Sequence, residues 1–383
     1  MPKQWKCAVV GTGVVGEWHV RLIPKLPNCT LVAVCDLLPD KAKATLDRNN
    51  VAGVPVYADV RDLLRHHPDL DVVHVCTPSG DHMGPVLTAL EAGKNVICEK
   101  PLEIALDRID AMIAASKASG ARLAAIFQNR WNDANRAIKA AADEQRFGQL
   151  AWAGCFTPWY RPDKYYDEGG WRGTWRLDGG GAIMNQSVHA IDLLQWVVGP
   201  VRSVSAYAAF QPAERIHKQI EVEDICSVAL QFENGAFGTI MGTTGMFPGQ
   251  PPRLEIGGDK GTAVSEAGLK MFHFAEPRPA DQDLLDRLAP PPPEFVKRKL
   301  VAQGGDALFS SLNFNKPGGT AGGSSNRDVG TDFHARNILH ILGAWEEGRD
   351  AETSGPEARK AVAIILAIYE SARRGGAPVP VKS

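Results

Sequence analysis

The sequence contains no run of about eighteen consecutive apolar residues, the minimum for a spanning helix, so no membrane segment is expected. None of its seven cysteines (Cys7, Cys29, Cys35, Cys76, Cys98, Cys155, Cys226) forms a CxxC pair, and no HExxH occurs. A metal site is therefore not expected, and the adjacent His66 and His67 read as a helix-end pair. The formal net charge is only -2, without the basic excess that nucleic acid or anionic lipid would need as partners. An odd number of scattered cysteines, several in apolar strand patterns, points to buried free thiols in a reducing compartment, hence a cytoplasmic location. The opening "MPKQWKCAVVG" has an apolar run too short for a secretion signal and reads as a strand.

What is present is 44% apolar and 22% charged, a globular composition, over a length that suits two domains. In the first third, "WKCAVV" leads into "GTGVVG" (Gly11 to Gly16), then a helical stretch, then "LVAVCD" ending in Asp36, twenty residues past Gly16. That context lifts a weak GxGxxG to a dinucleotide fingerprint. Gly11 permits a tight turn, Gly13 lets a pyrophosphate approach, Gly16 lets helix pack on strand, and the helix N-terminus offers N–H groups to the anion. Asp36 would accept the ribose hydroxyls; with Leu37 and Leu38 offering no cation to a 2′-phosphate, NAD is expected over NADP. The alternative is a plain glycine turn with Asp36 as a strand-end cap.

Strand and helix patterns keep alternating through "VPVYAD", "DVVHVCTP", "NVICEKP" and "RLAAIFQ", which implies a doubly wound parallel sheet with ligands beyond the strands' C-terminal ends. Ser79, Glu99, Lys100 and Gln128 fall at such ends. From "VRSVSAYAAF" to "LKMFHF" the pattern changes to alternating strands with turns at "ENG" and "GDKG". The expected architecture is thus an α/β Rossmann domain over 1–129 and an α+β domain over 130–383 built on a large, mostly antiparallel open sheet, with a long Pro/Gly/Ser-rich loop region at 275–330.

"GTGVVG", "EKP" at Glu99 to Pro101 and "GGGAIMNQSVHAID" (Gly179 to Asp192), in that order, resemble the Gfo/Idh/MocA family of NAD(P)-dependent sugar and cyclitol oxidoreductases across essentially the whole chain. On the residues alone, Lys100 reads as a solvated strand-end charge; the resemblance makes it a catalytic candidate whose pKa burial and a nearby positive ring would lower, so that it takes an alcohol proton. Asn185, His189 and Asp192 recur at spacings of four and three, one face of a helix directed at substrate. In that reading His189 shares the proton transfer with Lys100, Asn185 binds hydroxyls where many members carry an Asp, and Asp192 orients the imidazole or caps a neighbouring group. A core histidine satisfied by a carbonyl is the alternative for His189.

The resemblance further implies coenzyme contacts from Thr12, Val14, Val15, Thr77, Ser79, His82, Glu99, Lys100 and Gln128, and from Trp171 and Arg172 in an aromatic, Arg-rich loop. It also implies substrate contacts from Asp192, Arg130 and His334, although a hinge-surface Arg and a solvated helix-start His fit the residues equally. One face of the second sheet should be covered by another subunit, giving a homodimer or homotetramer. The expected activity is NAD-dependent oxidation of a secondary hydroxyl of a small polyhydroxylated molecule, whether sugar, sugar acid, glycoside or cyclitol. A redox-neutral enzyme that retains NAD through elimination or epimerisation, and a non-catalytic nucleotide-sensing regulator, are the alternatives.

Overall fold

The computed structural model describes residues 3–167, 170–289 and 332–382. These divide into two compact units: 3–128 with 332–362, and 129–289 with 363–382.

The first unit carries strands β1 (Trp5–Val10), β2 (Cys29–Cys35), β3 (Val56–Tyr57), β4 (Val72–Val75), β5 (Asn95–Cys98) and β6 (Leu123–Ala125). Their order is β3-β2-β1-β4-β5-β6, every pair parallel. Strand order reverses between β1 and β4, which opens a crevice where their C-terminal ends diverge. Helices α1 (Val14–Leu22), α2 (Pro39–Arg48), α3 (Val60–His66), α4 (Met83–Glu91) and α5 (Leu106–Ser119) form the crossovers. The strands are near-continuous apolar runs because both sheet faces are covered.

The second unit contains α6 (Asp133–Asp143), β7 (Leu150–Pro158), α7 (Asp163–Asp167), a π-helical turn at Ala182–Gln186, α8 (Val188–Val198), β8 (Val201–Ala208), β9 (Ile225–Phe232), β10 (Phe237–Thr243), β11 (Arg253–Gly258), β12 (Gly261–Glu266) and β13 (Leu269–Phe274). With β14 (Val379–Pro380) its sheet runs β13-β12-β11-β7-β10-β9-β8-β14. Only β7 and β10 pair in parallel, so the sheet is mixed and mostly antiparallel. Strand β9 alternates in burial residue by residue, the signature of a sheet with one packed face.

Two expectations change. Part of the 275–330 region is helical: α9 (Pro279–Leu288) starts at a proline, and Asp281 accepts the Arg278 N–H at 2.8 Å and a two-pronged salt bridge from Arg146 at 2.7 Å. The "PPPPEF" and Gly/Ser-rich stretches of that region lie outside the described residues. Second, 332–362, assigned above to the second domain, belongs to the first unit. Helix α10 (Asp332–Glu346) places Ile338, Ile341, Leu342 and Trp345 in the core beside β1 and β2, with Trp345 edge-on to Trp5 at 6.4 Å. Burying each such side chain is worth about 1.5–3 kcal/mol. The last helix, α11 (Gly355–Arg373), contributes to both units.

All seven cysteines are free and buried. Among the described residues no helix is long and apolar enough to cross a membrane, and no group of three or more His, Cys, Asp or Glu side chains could hold a metal ion.

Candidate coenzyme and substrate sites

The three glycines of the first turn are glycines for three different reasons. Gly11 has φ +88°, and a Cβ there would lie 2.7 Å from the Cys76 carbonyl at the end of β4. At Gly16 a Cβ would lie 1.9 Å from the Gly11 oxygen, so helix and turn could not pack. Gly13 has an ordinary φ of -67°, and a Cβ would meet no protein atom within 4 Å. Nothing inside the protein demands a glycine there. Gly13 is also the N-cap of α1 and has no side chain to satisfy the first amides, which leaves them to a phosphate. Gly13→Ala is therefore expected to keep the wild-type Tm while weakening NAD binding about tenfold or more, the two quantities being read by calorimetry and fluorescence quenching; unchanged affinity would remove the pyrophosphate from this turn.

Asp36 Oδ2 accepts the Thr12 amide at 2.8 Å and the Thr12 hydroxyl at 2.7 Å, and Oδ1 accepts the Leu38 amide at 3.0 Å. Burial pushes its pKa up, but these donors and Lys41 more than offset that, and the group titrates below the usual carboxylate range. It stays ionised, as repulsion of a 2′-phosphate requires. Leu37 and Leu38 offer no cation, but Lys41 does come near, its Nζ standing 3.6 Å from Oδ2. Leu37 and Leu38 are exposed. Thr12 thus serves to orient Asp36, and Val14 and Val15 lie in the first turn of α1, Val14 outermost.

At the other strand ends several expected coenzyme contacts point inward. His82 is buried and faces the carbonyls of Thr77 and Pro101, each at 2.9 Å, joining the loop after β4 to the loop after β5. Ser79 is buried, whereas Thr77 is partly exposed and gives its hydroxyl to the Asp81 carbonyl. Glu99 is buried against His19, whose Nε2 is 2.9 Å from Oε1, with His334 Nε2 at 3.9 Å. Burial alone would raise Glu99; His19, with His334 and Lys100, brings it down to about 2. His334 is not solvated: it is buried, packs edge-on to Trp18 at 5.5 Å, and burial takes its pKa down to about 4. Lys100 is half-buried, and its backbone N–H donates to Glu99 Oε2 at 3.2 Å. Gln128 opens a short 3-10 turn, Gln128–Trp131.

In the second unit, Asn185 does not share one α-helix with His189 and Asp192. It lies on the π-helical turn, where Ser187 N–H reaches back five residues to the Ala182 carbonyl at 3.0 Å; His189 and Asp192 belong to α8. Asn185 Nδ2 donates to Asp178 Oδ1 at 2.5 Å, and Asp178 Oδ2 accepts the Gly173 amide at 2.8 Å. A carboxylate is therefore present beside Asn185 after all, from the residue just before the glycine run. His189 is partly exposed in the first turn of α8.

Asp192 follows His189 by three residues on α8. It receives both Arg130 prongs, Nε at 2.7 Å and Nη2 at 2.6 Å, and both side chains are 1% exposed. Arg130 is therefore not the hinge-surface residue that its position also allowed. Arg172, part-exposed like Trp171, lies 4.5 Å over buried Tyr165 and 5.6 Å from the Trp171 ring. Arg161, buried, directs its fork at Gln186 Oε1 at 3.1 and 2.8 Å.

The glycine run serves packing. A Cβ at Gly180 would lie 1.9 Å from the Tyr369 hydroxyl, and one at Gly181 would lie 2.1 Å from the Glu223 carbonyl oxygen.

Residues 5–127 match the model of an oxidoreductase family with an NAD-binding Rossmann fold, and 135–264 match the Gfo/Idh/MocA C-terminal domain. The chain belongs to the Gfo/Idh/MocA family. It is an oxidoreductase, and residues 5–127 are the family's NAD-binding domain. An uncharacterized oxidoreductase, YrbE, of Bacillus subtilis is 28% identical over 70% of this chain and 75% of its own. The myo-inositol 2-dehydrogenase of Thermotoga maritima is 26% identical over 68% and 75%. Among solved structures, the WlbA dehydrogenase of Bordetella pertussis, in complex with NADH and UDP-GlcNAcA, is 28% identical with a TM-score of 0.79 and full coverage of both chains.

Proposed function

We propose that this family member is an NAD-dependent dehydrogenase that oxidises a secondary hydroxyl of a sugar, sugar acid, glycoside or cyclitol. The observation that carries the coenzyme half is Gly13: a glycine that the protein's own packing does not require, at the amide end of α1, on the crevice between β1 and β4. Ionised Asp36 supports NAD over NADP, as do the NADH complexes of WlbA proteins at 28% identity. When bound, NAD supplies the hydride acceptor. Lys100 at the end of β5 is proposed to take the alcohol proton at Nζ, with His189 as the second proton-handling group. Asn185, its amide oriented by Asp178, would bind an adjacent hydroxyl through its oxygen. Buried Glu99, Arg130 and Asp192 would hold these groups in place rather than touch ligand.

The named relatives bracket the substrate: inositol 2-dehydrogenases on one side, a nucleotide-linked hexuronic acid complex on the other. The test is a panel of pyranoses, hexuronic acids, UDP-GlcNAcA and inositols with NAD, followed by absorbance of the reduced coenzyme. At least one member should be oxidised; a panel without turnover, with NAD shown to bind, would leave the proposal unsupported.

The same reading gives a homodimer or homotetramer through the second sheet. Tyr207, Ile225 and Phe237 are exposed on one face of neighbouring strands β8, β9 and β10. Such an apolar face suits a second copy, and a monomer in light scattering would rule this out.

A further inference from the structure

A helix start leaves its first amides without intrahelical partners, and a local Ser, Thr, Asp or Asn usually accepts from them. The segment that carries Asn185 and His189 starts at glycines and has no such side chain. Its amides are met from elsewhere in the second unit. Glu223 Oε2 accepts Gly181 N–H at 3.1 Å, the Glu223 carbonyl accepts Ala182 N–H at 3.0 Å, and Glu223 Oε1 accepts Ile183 N–H at 2.8 Å. The Tyr369 hydroxyl accepts the Met184 N–H at 3.2 Å and donates to Glu223 Oε1 at 2.9 Å. Four successive amides are thus satisfied by two residues, 42 and 185 positions away in the chain. Both are buried, and the absent side chains of Gly180 and Gly181 are what let them approach.

We propose that Glu223 and Tyr369 are positioning residues for the reaction: a borrowed N-cap that fixes the rotation of the π-helical turn and the start of α8, and so the direction of Asn185 and His189. This rests on the substrate-side reading above. A π-turn is an unusual winding that needs support from outside itself, and such turns recur where side chains must be aimed. The Glu223 carboxylate sits where burial raises its pKa against the pull of the amides and of Tyr369. A cap serving fold alone could be a local serine at no such cost. No part of this device belongs to the coenzyme unit, so its loss should leave NAD binding unchanged.

The experiment compares Tyr369→Phe, Glu223→Gln and His189→Ala with wild type, using NAD and the oxidised panel member as substrates. Rates are normalised to NAD-binding sites counted by titration. Tyr369→Phe removes the acceptor for Met184; Glu223→Gln keeps an oxygen for Ile183 but turns an N–H toward Gly181. Each should lower kcat/KM for the hydroxyl substrate by about 10- to 100-fold through misorientation, with the NAD Kd within about twofold. A role in folding alone would lower Tm or the number of sites and leave kcat and KM per site unchanged; that result in Tyr369→Phe overturns the proposal even if Glu223→Gln fails to fold. Loss in His189→Ala with wild-type rates in Tyr369→Phe would sink only this inference. Wild-type rates in His189→Ala would mean that the substrate-side reading itself had failed.

Discussion

Replacing Lys100 with alanine is expected to lower kcat by about 10²- to 10⁴-fold, the usual contribution of a positioned general base, while NAD still binds. Lys100 lies two residues beyond β5, whose partners β4 and β6 hold the backbone through Cys98 paired with Val75 and Ala125. The next layer is equally fixed: Glu99 takes the Lys100 amide on one oxygen and His19 on the other. The lysine stem is half-buried, so truncation removes no large apolar volume and the fold should persist. Lys100→Arg separates two roles. A guanidinium keeps the positive charge but cannot give up its proton at any working pH. If Lys100 moves the proton, Arg should be as slow as Ala; if it acts only as a charge, Arg should recover most of the rate. Activity of Lys100→Ala within a few fold of wild type would take proton transfer away from this residue.

Asp192→Ala should cost about 3–5 kcal/mol of stability, because it leaves the Arg130 guanidinium charged in a site 1% exposed. The pair is two-pronged and lies against Trp196, whose ring is 5.2 Å from the Arg130 guanidinium. Losing one partner is more damaging than losing both, since the survivor keeps its desolvation penalty without the compensating charge. Asp192→Leu with Arg130→Met should therefore be more stable than Asp192→Ala alone. Chemical denaturation of wild type and these two variants measures this directly. A loss below about 1 kcal/mol for Asp192→Ala, the range of exposed pairs, would show that the charge escapes to solvent.

The parts of the molecule that local geometry dictates could be read from the chain. Alternating apolar runs and helical periods fixed the parallel sheet. The spacing from Gly11 to Asp36 marked a turn whose three glycines have separable physical reasons. What was not legible depends on partners distant in sequence. The four-and-three spacing of Asn185, His189 and Asp192 implies one helix face only if the winding is α throughout, and Glu223 and Tyr369 hold a π-turn there instead. No sequence pattern links Asp192 to Arg130, 62 residues earlier. Motif position likewise says nothing of the neighbours that bury Glu99 and His334, which are His19 and Trp18. An amphipathic period likewise marks α10 as packed without naming the surface it packs on.

That last helix sets a limit on how the coenzyme-binding part can be handled as a module. Its hydrophobic interior is completed by side chains encoded more than two hundred positions downstream, so a gene fragment stopping near residue 129 would yield a chain with Trp5 and its neighbours bare to water. Any swap of this domain into a related enzyme would have to carry both pieces of sequence, and an exchange at the apparent boundary alone would produce an aggregating hybrid.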